Sequence, residues 1–204
     1  MIRLTFLGTG TSQGVPVISC GCWVCRSDDS RDKRLRTSAL VETGRTTLLI
    51  DAGPDFRQQM LRESVGKLDG ILLTHEHKDH IAGLDDVRAF NYVTGKPVDI
   101  YAEERVQRRV KQDFDYAFSE NPYPGVPELR LHTILPDAPF RIGDAEIVPI
   151  RGIHYKLPVF GFRIGRLAYL THISHQMGRH ATEERALPEG VHFAYDGLTV
   201  EIPD

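Results

Sequence analysis

The stretch Thr74-His75-Glu76-His77-Lys78-Asp79-His80 constrains this chain more than any other. It packs three histidines and two carboxylates into seven residues, directly behind the apolar run Gly70-Ile71-Leu72-Leu73. A buried strand that ends this way aims polar side chains at something cationic. His75 and His77 are two apart, so in extended backbone they fall on one side, while Asp79 and His80 follow at a different angle just before a helix. The group can therefore face two metal ions rather than one. Neutral imidazoles with a carboxylate are the donors that zinc and similar metals select. The bland alternative is a solvated loop between a strand and a helix.

Length sets the frame for that site. With 204 residues the expectation is one domain, residues 1–204, with enough chain to bury a core. A net charge of -3 leaves no broad basic field, which argues against nucleic acid as a partner. No apolar run approaches bilayer length, so no membrane role is expected. The N-terminus begins a strand rather than a signal peptide, and the default expectation is a cytoplasmic protein. Three cysteines, an odd number, argue against a disulfide framework.

Along the chain, Ile2 to Leu7 alternates as a half-buried strand and leads into Gly8-Thr9-Gly10-Thr11-Ser12-Gln13-Gly14. A dinucleotide loop would need a helix next, but Val15-Pro16 follows, so this reads as a turn beside the active site. Cys20-Gly21-Cys22-Trp23-Val24-Cys25 offers three thiols in six residues. They can supply three corners of a tetrahedral zinc site, or be three small buried hydrophobes. Arg26 to Arg36 reads as a solvated segment, with Arg36-Thr37-Ser38 able to reach a phosphate. Ser38–Thr43 and Thr46–Ile50 form a hairpin that ends at Asp51. Asp51 opens toward the same rim as His75, either as the acceptor for a ligand imidazole or as a turn residue. Helices are expected over 55–63, 81–92 and 103–118, with the basic residues of the last on a solvated face. Asn121 to Pro127 is a loop. Strands resume at 98–102, 129–135, 140–142 and 145–150, the last running into Arg151-Gly152-Ile153-His154. Further strands are expected at 159–164, 167–170, 191–194 and 198–202. Strands, then alternating strands and helices, then strands again imply a layered α/β fold with mixed sheets.

The pattern His75-x-His77-x-Asp79-His80 behind an apolar strand resembles the signature of the metallo-β-lactamase superfamily. The glycine-rich turn, the Cys-x-Cys-x-x-Cys cluster and Thr171-His172-Ile173-Ser174-His175 are similar to its PhnP-type phosphodiesterases. The resemblance implies an αββα sandwich of two mixed sheets. It implies two divalent ions, zinc or manganese, one held by His75, His77 and His154 and the other by Asp79, His80 and His172. It implies a structural zinc on Cys20, Cys22, Cys25 and His175. The implied chemistry is hydrolysis of a small, cyclic phosphodiester, with Asp79 orienting the attacking water, and a homodimer is a possible assembly. The chain departs from the pattern at Leu170-Thr171. The family places a metal-bridging Asp at the end of a strand like Ala168-Tyr169-Leu170-Thr171, then another helix, strand and histidine. Here Thr171-His172 follows at once, and no Asp occurs between Asp144 and Asp196. One helix-strand unit is therefore missing from the expected fold. A second reading follows, a metal-binding protein with impaired catalysis for want of the bridging Asp. Thioesterase, lactonase and RNA nuclease activities also occur in the superfamily. The cysteine cluster speaks against the first two, and the lack of an extended basic arm against the third.

Overall fold

A computed structural model of the chain describes residues 1–169, 176, 178–187 and 192–203. The expectations for His172, His175 and the Leu170-Thr171 junction fall outside these residues. Two sheets carry the architecture. The larger joins β11 (Thr199–Ile202), β1 (Ile2–Gly8), β2 (Ser38–Glu42), β3 (Thr47–Ile50), β4 (Gly70–Leu72), β5 (Val98–Ala102) and β6 (Leu129–Thr133), in that order. It is antiparallel from β11 to β3 and parallel from β3 to β6. The smaller runs β10 (Leu167–Tyr169), β9 (Leu157–Ile164), β8 (Ala145–His154), β7 (Phe140–Ile142), and its pairs are all antiparallel. Two mixed sheets were expected. The second is antiparallel because its described strands are joined by tight hairpins, and a parallel pair needs a long crossover.

The strand pattern explains the layering. Leu40, Leu49, Ile71 and Ile100 point to one face of the large sheet, Ala39, Val41, Leu48, Ile50 and Leu72 to the other. The first set packs on Phe56 and Met60 of α1 (Phe56–Arg62), Ile81 of α2 (Lys78–Ile81), Phe90 of α3 (Arg88–Thr94), and Val106 and Val110 of α4 (Glu104–Asp113). The second set meets Ile147, Phe160, Phe162 and Ile164 of the small sheet. Among the described residues, helices, large sheet and small sheet thus stack in layers, with a core on each face of the large sheet. Phe160 and Phe162 are almost fully buried, and burying each stabilises the sheet-to-sheet core by roughly 1.5–3 kcal/mol.

Several elements differ from the sequence expectation, the helix expected over 103–118 among them, since it ends at Asp113 and a 3-10 turn, Asp115–Ala117, follows. The helix expected over 81–92 starts earlier, at Lys78, and passes through a 3-10 stretch, Ala82–Val87, before α3. Gly83 sets this: its N–H donates to Ala52 O at 2.9 Å, and a Cβ there would sit 2.1 Å from Gly53 O. The turn after β3 presses so closely on the helix start that the coil tightens. The strand expected over 191–194 is not formed at 192–194. There Phe193 N donates to Glu184 Oε2 at 2.8 Å and Ala194 O accepts from Arg34 Nη1 at 2.7 Å, so side chains take the bonds a strand partner would need. The sequence reading placed no element at α5 (His180–Glu183). No helix of the described residues is long and apolar enough to cross a membrane.

Candidate metal centre

The site lies beyond the carboxyl ends of the parallel strands β3 and β4, where open α/β sheets leave a crevice. The turns after those strands are stitched together. Asp51 N donates to Leu72 O at 2.9 Å, Thr74 N to Asp51 Oδ1 at 2.8 Å, and Ala52 N to His80 O at 2.8 Å. Asp51 takes the left-handed conformation, φ 61°, which Asp tolerates better than most residues. Its buried carboxylate is thereby turned onto the histidine cluster: Oδ2 lies 2.6 Å from His80 Nδ1 and accepts from Thr74 Oγ1 at 2.8 Å. Thr74 Oγ1 is in turn 2.9 Å from His75 Nδ1. Asp51, expected near His75, thus grips His80 directly and reaches His75 only through Thr74.

These contacts decide which ring nitrogens face outward. With Nδ1 of His80 bonded to Asp51, its Nε2 points onward and lies 3.2 Å from Asp79 Oδ2. With Nδ1 of His75 at Thr74, its Nε2 lies 3.1 Å from His77 Nδ1. Two donors on a tetrahedral ion with metal–nitrogen bonds of about 2.0–2.1 Å stand roughly 3.3 Å apart. Both pairs match that edge, so the donor set fits divalent metals. The ring of His154, at the end of β8, lies 5.9 Å from that of His75 and 6.0 Å from that of His77. Electrostatics follow the geometry. Burial, reinforced by His80, pushes His75 down to about 3. Burial opposes a charge on His80 too, but Asp51 and Asp79 outweigh it and raise His80 to about 10. Burial likewise resists ionisation of Asp79, yet its bond to His80 holds it at about 2.

His75, His77, Asp79, His80, His154 and Asp51 line one cavity of about 460 Å³. Val159, Phe160 and Tyr169 of the small sheet form its apolar wall, and Thr11, Ser12 and Thr37 add hydroxyls. The last three lie in the glycine-rich turn and in Arg36-Thr37-Ser38, where the sequence already hinted at a site. Arg36 itself is engaged with Asp55 at 3.0 Å. Tyr169 had no sequence signal. It is buried, within 3.1 Å of Thr37 Oγ1, and burial raises its phenol well above the usual range.

The cysteine cluster forms a second donor set. The sulfurs of Cys20, Cys22 and Cys25 lie within 4.8 Å of one another, compatible with the S–S edge of about 3.8 Å on a tetrahedral zinc. Backbone N–H groups point at two of them, Val17 N at Cys25 Sγ (3.4 Å) and Cys25 N at Cys22 Sγ (3.5 Å). Burial raises the Cys25 thiol above its ordinary value. Arg179, four residues beyond His175, donates to Trp23 O at 3.0 and 3.2 Å and stacks 5.1 Å over the Trp23 ring.

A family model for the β-lactamase superfamily domain matches residues 46–187. The crystal structure of a diphosphatase from the PhnP family superposes with a TM-score of 0.90 at 33% identity, covering 100% of this chain and 98% of that one. An octanoyltransferase from Porphyromonas gingivalis is 46% identical over 171 residues, 83% of this chain and 34% of that protein. The chain thus spans about a third of the length of such curated relatives. Zn(2+)-bound PqqB from Methylobacterium extorquens shares the fold, with a TM-score of 0.63 at 22% identity over 81% of this chain and 63% of that one. Relatives with this fold bind divalent metals, as that protein binds zinc. Fold, family match and the histidine rim agree: the chain belongs to the metallo-β-lactamase superfamily, on its PhnP-family branch.

Proposed function

We propose that this chain is a metal-dependent hydrolase that cleaves a small phosphodiester at the rim cavity. The convergence of His75, His77, Asp79, His80 and His154 on one cavity of about 460 Å³ carries this reading. Divalent ions there, zinc or manganese, supply Lewis-acid polarisation of a phosphoryl oxygen and a water that ionises near neutral pH. His75, His77 and His154 hold one ion, and Asp79 and His80 the other, with His172 assigned to that second ion by resemblance. Asp51 fixes His80 through Nδ1 and leaves Nε2 for the metal. Asp79, ionised at neutral pH, accepts a hydrogen bond from the attacking water and orients it. Thr11, Ser12 and Thr37 donate to the phosphate's non-bridging oxygens, while Val159 and Phe160 keep bulk water from the back wall. The similar PhnP-family diphosphatase supports phosphoryl chemistry. The cavity's size and the chain's net charge of -3 favour a small molecule over nucleic acid. We place this activity in the cytoplasm, with Cys20, Cys22, Cys25 and His175 holding a structural zinc.

The test is turnover by purified protein, loaded with Zn or Mn, of a cyclic ribose phosphate, an aryl phosphodiester and a dinucleoside diphosphate. Cleavage of at least one, abolished in Asp79→Ala, is expected. No turnover with either metal, or full turnover by the variant, refutes the proposal. One observation favours a second reading, a metal-binding chain with weak catalysis. Among the described residues the cavity is lined by two carboxylates, and one of these, Asp51, is bonded to His80 and Thr74. Metal analysis separates the two. Two rim ions per chain fit the hydrolase, and one or fewer the impaired form.

A further inference from the structure

The donors of the rim cavity come from two bodies. His75, His77, Asp79 and His80 follow β4 in the large sheet, whereas His154 ends β8 in the small one. Metal sites accept donor positions only within about 0.2 Å of ideal distances. The end of the β8–β9 hairpin must therefore be held against the loop after β4. Two hydrogen bonds between described residues cross there. Phe160 N donates to Thr74 O at 2.9 Å, and Arg105 Nη2, from α4, donates to Pro158 O at 2.6 Å.

Arg105 also reaches the other body. Its Nη1 is ion-paired with Glu76 Oε1, on the residue between His75 and His77. Glu76 Oε2 and Arg105 Nε are both shielded from solvent and without a hydrogen-bond partner among the described residues. Glu103 extends the chain of charges. Its Oε2 lies 3.6 Å from Arg105 Nη2, and its Oε1 accepts from Arg151 Nη2, on β8, at 2.7 Å. The Arg151 guanidinium sits 4.8 Å over the ring of Phe160, a wall of the cavity. Glu76, Arg105, Glu103 and Arg151 thus alternate in sign around the outside of the metal centre, and the Arg105 side chain touches both halves.

We propose that Arg105 is a positioning residue: it locks the β8–β9 hairpin to the His75-Glu76-His77 loop and so holds His154 within reach of His75 and His77. This rests on the metal reading of the cavity. An ordinary partly exposed ion pair would add little stability and leave metal binding alone. A positioning pair changes metal affinity.

The experiment strips the full chain of metal, titrates zinc back, and follows amide hydrogen exchange in the stripped protein. Arg105→Met is expected to weaken rim-ion binding by roughly 10–100-fold, the usual effect of losing an outer partner of a ligand. Zinc retained by Cys20, Cys22 and Cys25 stays at the wild-type amount. Arg105→Lys recovers part of the affinity, since an ammonium cannot reproduce the guanidinium fork. Exchange over 153–159 speeds up at least tenfold in Arg105→Met even without metal. That readout stands by itself: a wild type that takes no rim ion sinks the metal reading, while faster hairpin exchange still supports the clamp. Should Arg105→Met not fold, Arg105→Lys and Glu76→Gln carry the same two readouts. Wild-type affinity together with wild-type exchange, even alongside a lower melting temperature, overturns the proposal.

Discussion

Gly53 offers the sharpest test of how the fold builds the centre. A Cβ added there would lie 2.0 Å from the carbonyl oxygen of Asp79 and 3.8 Å from its Cα. Ordinary carbon–oxygen contact begins at roughly 3.3 Å, so Gly53→Ala must displace backbone by on the order of 1 Å. Neither side can yield cheaply. Ala52 N is bonded to His80 O, and Gly83 N to Ala52 O, so the turn is pinned at both edges of the clash. The strain falls on Asp79 and His80, whose outward atoms stand 3.2 Å apart. Overpacking of this kind costs about 1–3 kcal/mol. In a chain of this size that lowers the melting temperature by roughly 3–10 °C. A misplacement of about 1 Å at a catalytic group costs on the order of 10²-fold in rate. The assay is a thermal melt with a zinc titration of stripped protein, and kcat/KM on whichever phosphodiester the wild type cleaves. A folded Gly53→Ala with unshifted melting and wild-type zinc affinity would refute the argument that close backbone contact fixes Asp79.

Further outcomes follow from the same geometry. Asp51→Asn removes the charge that holds the His80 proton at 2.6 Å; the His80 ring should lose its titration near 10 in an NMR pH series, and rim-metal affinity should fall roughly 10–100-fold. In stripped protein, stability should peak near the ordinary imidazole pKa of about 6.5. His80, raised to about 10, contributes stability that is fully present below the unfolded value and lost as pH climbs to 10. His75, lowered to about 3, binds its proton more readily when unfolded, so it erodes stability as pH drops from the unfolded value toward 3. Asp79, held at about 2, loses its contribution below the usual carboxylate range. A melting temperature that is flat or monotonic from about pH 4 to 9 would contradict this reading. Cys22→Ser should release one zinc per chain by elemental analysis and leave rim loading intact; unchanged zinc content would remove the cysteines as a metal site.

Much of the architecture was legible because it is written in local patterns. The hairpins at 38–50 and 140–150 and the strand before Thr74 follow from alternation, turn residues and a bounded apolar run. The histidine cluster was legible for the same reason, since five of the cavity's donors carry their own signal of residue type and spacing. What stayed hidden depends on contacts far apart in the chain. The break at Gly83 comes from a turn thirty residues upstream. Residues 192–194 are drawn from strand pairing by Arg34, far away in the chain, and by Glu184, nine residues before Phe193. Asp51 could be placed at the rim, but its choice of His80 over His75 needed the left-handed turn. Arg105 was read among the solvated cations of α4, because helical periodicity shows which face is polar and not which polar residue finds a partner.

The arrangement also explains why the centre forms only with the finished fold. His75 to His80 span six residues, yet they do not present a pocket alone: Asp51 must arrive from β3 to set His80, and Phe160 and His154 from the small sheet to close the other side. Metal bound there as proposed would draw on contacts between β3, β4, β8 and β9, so its binding energy would become folding energy for the sandwich. Charge sets how far that coupling can go. In the stripped protein Asp51 is matched by the proton on His80, leaving Asp79 as the uncompensated carboxylate among the described cavity residues. A first divalent ion, bound as proposed, would meet imidazoles or one anion. A second must enter against the field of the first, with no further described carboxylate between them. Were two ions to bind as proposed, the two rim positions would be unequal, and successive loading, tight then weak, is the expected outcome of a zinc titration.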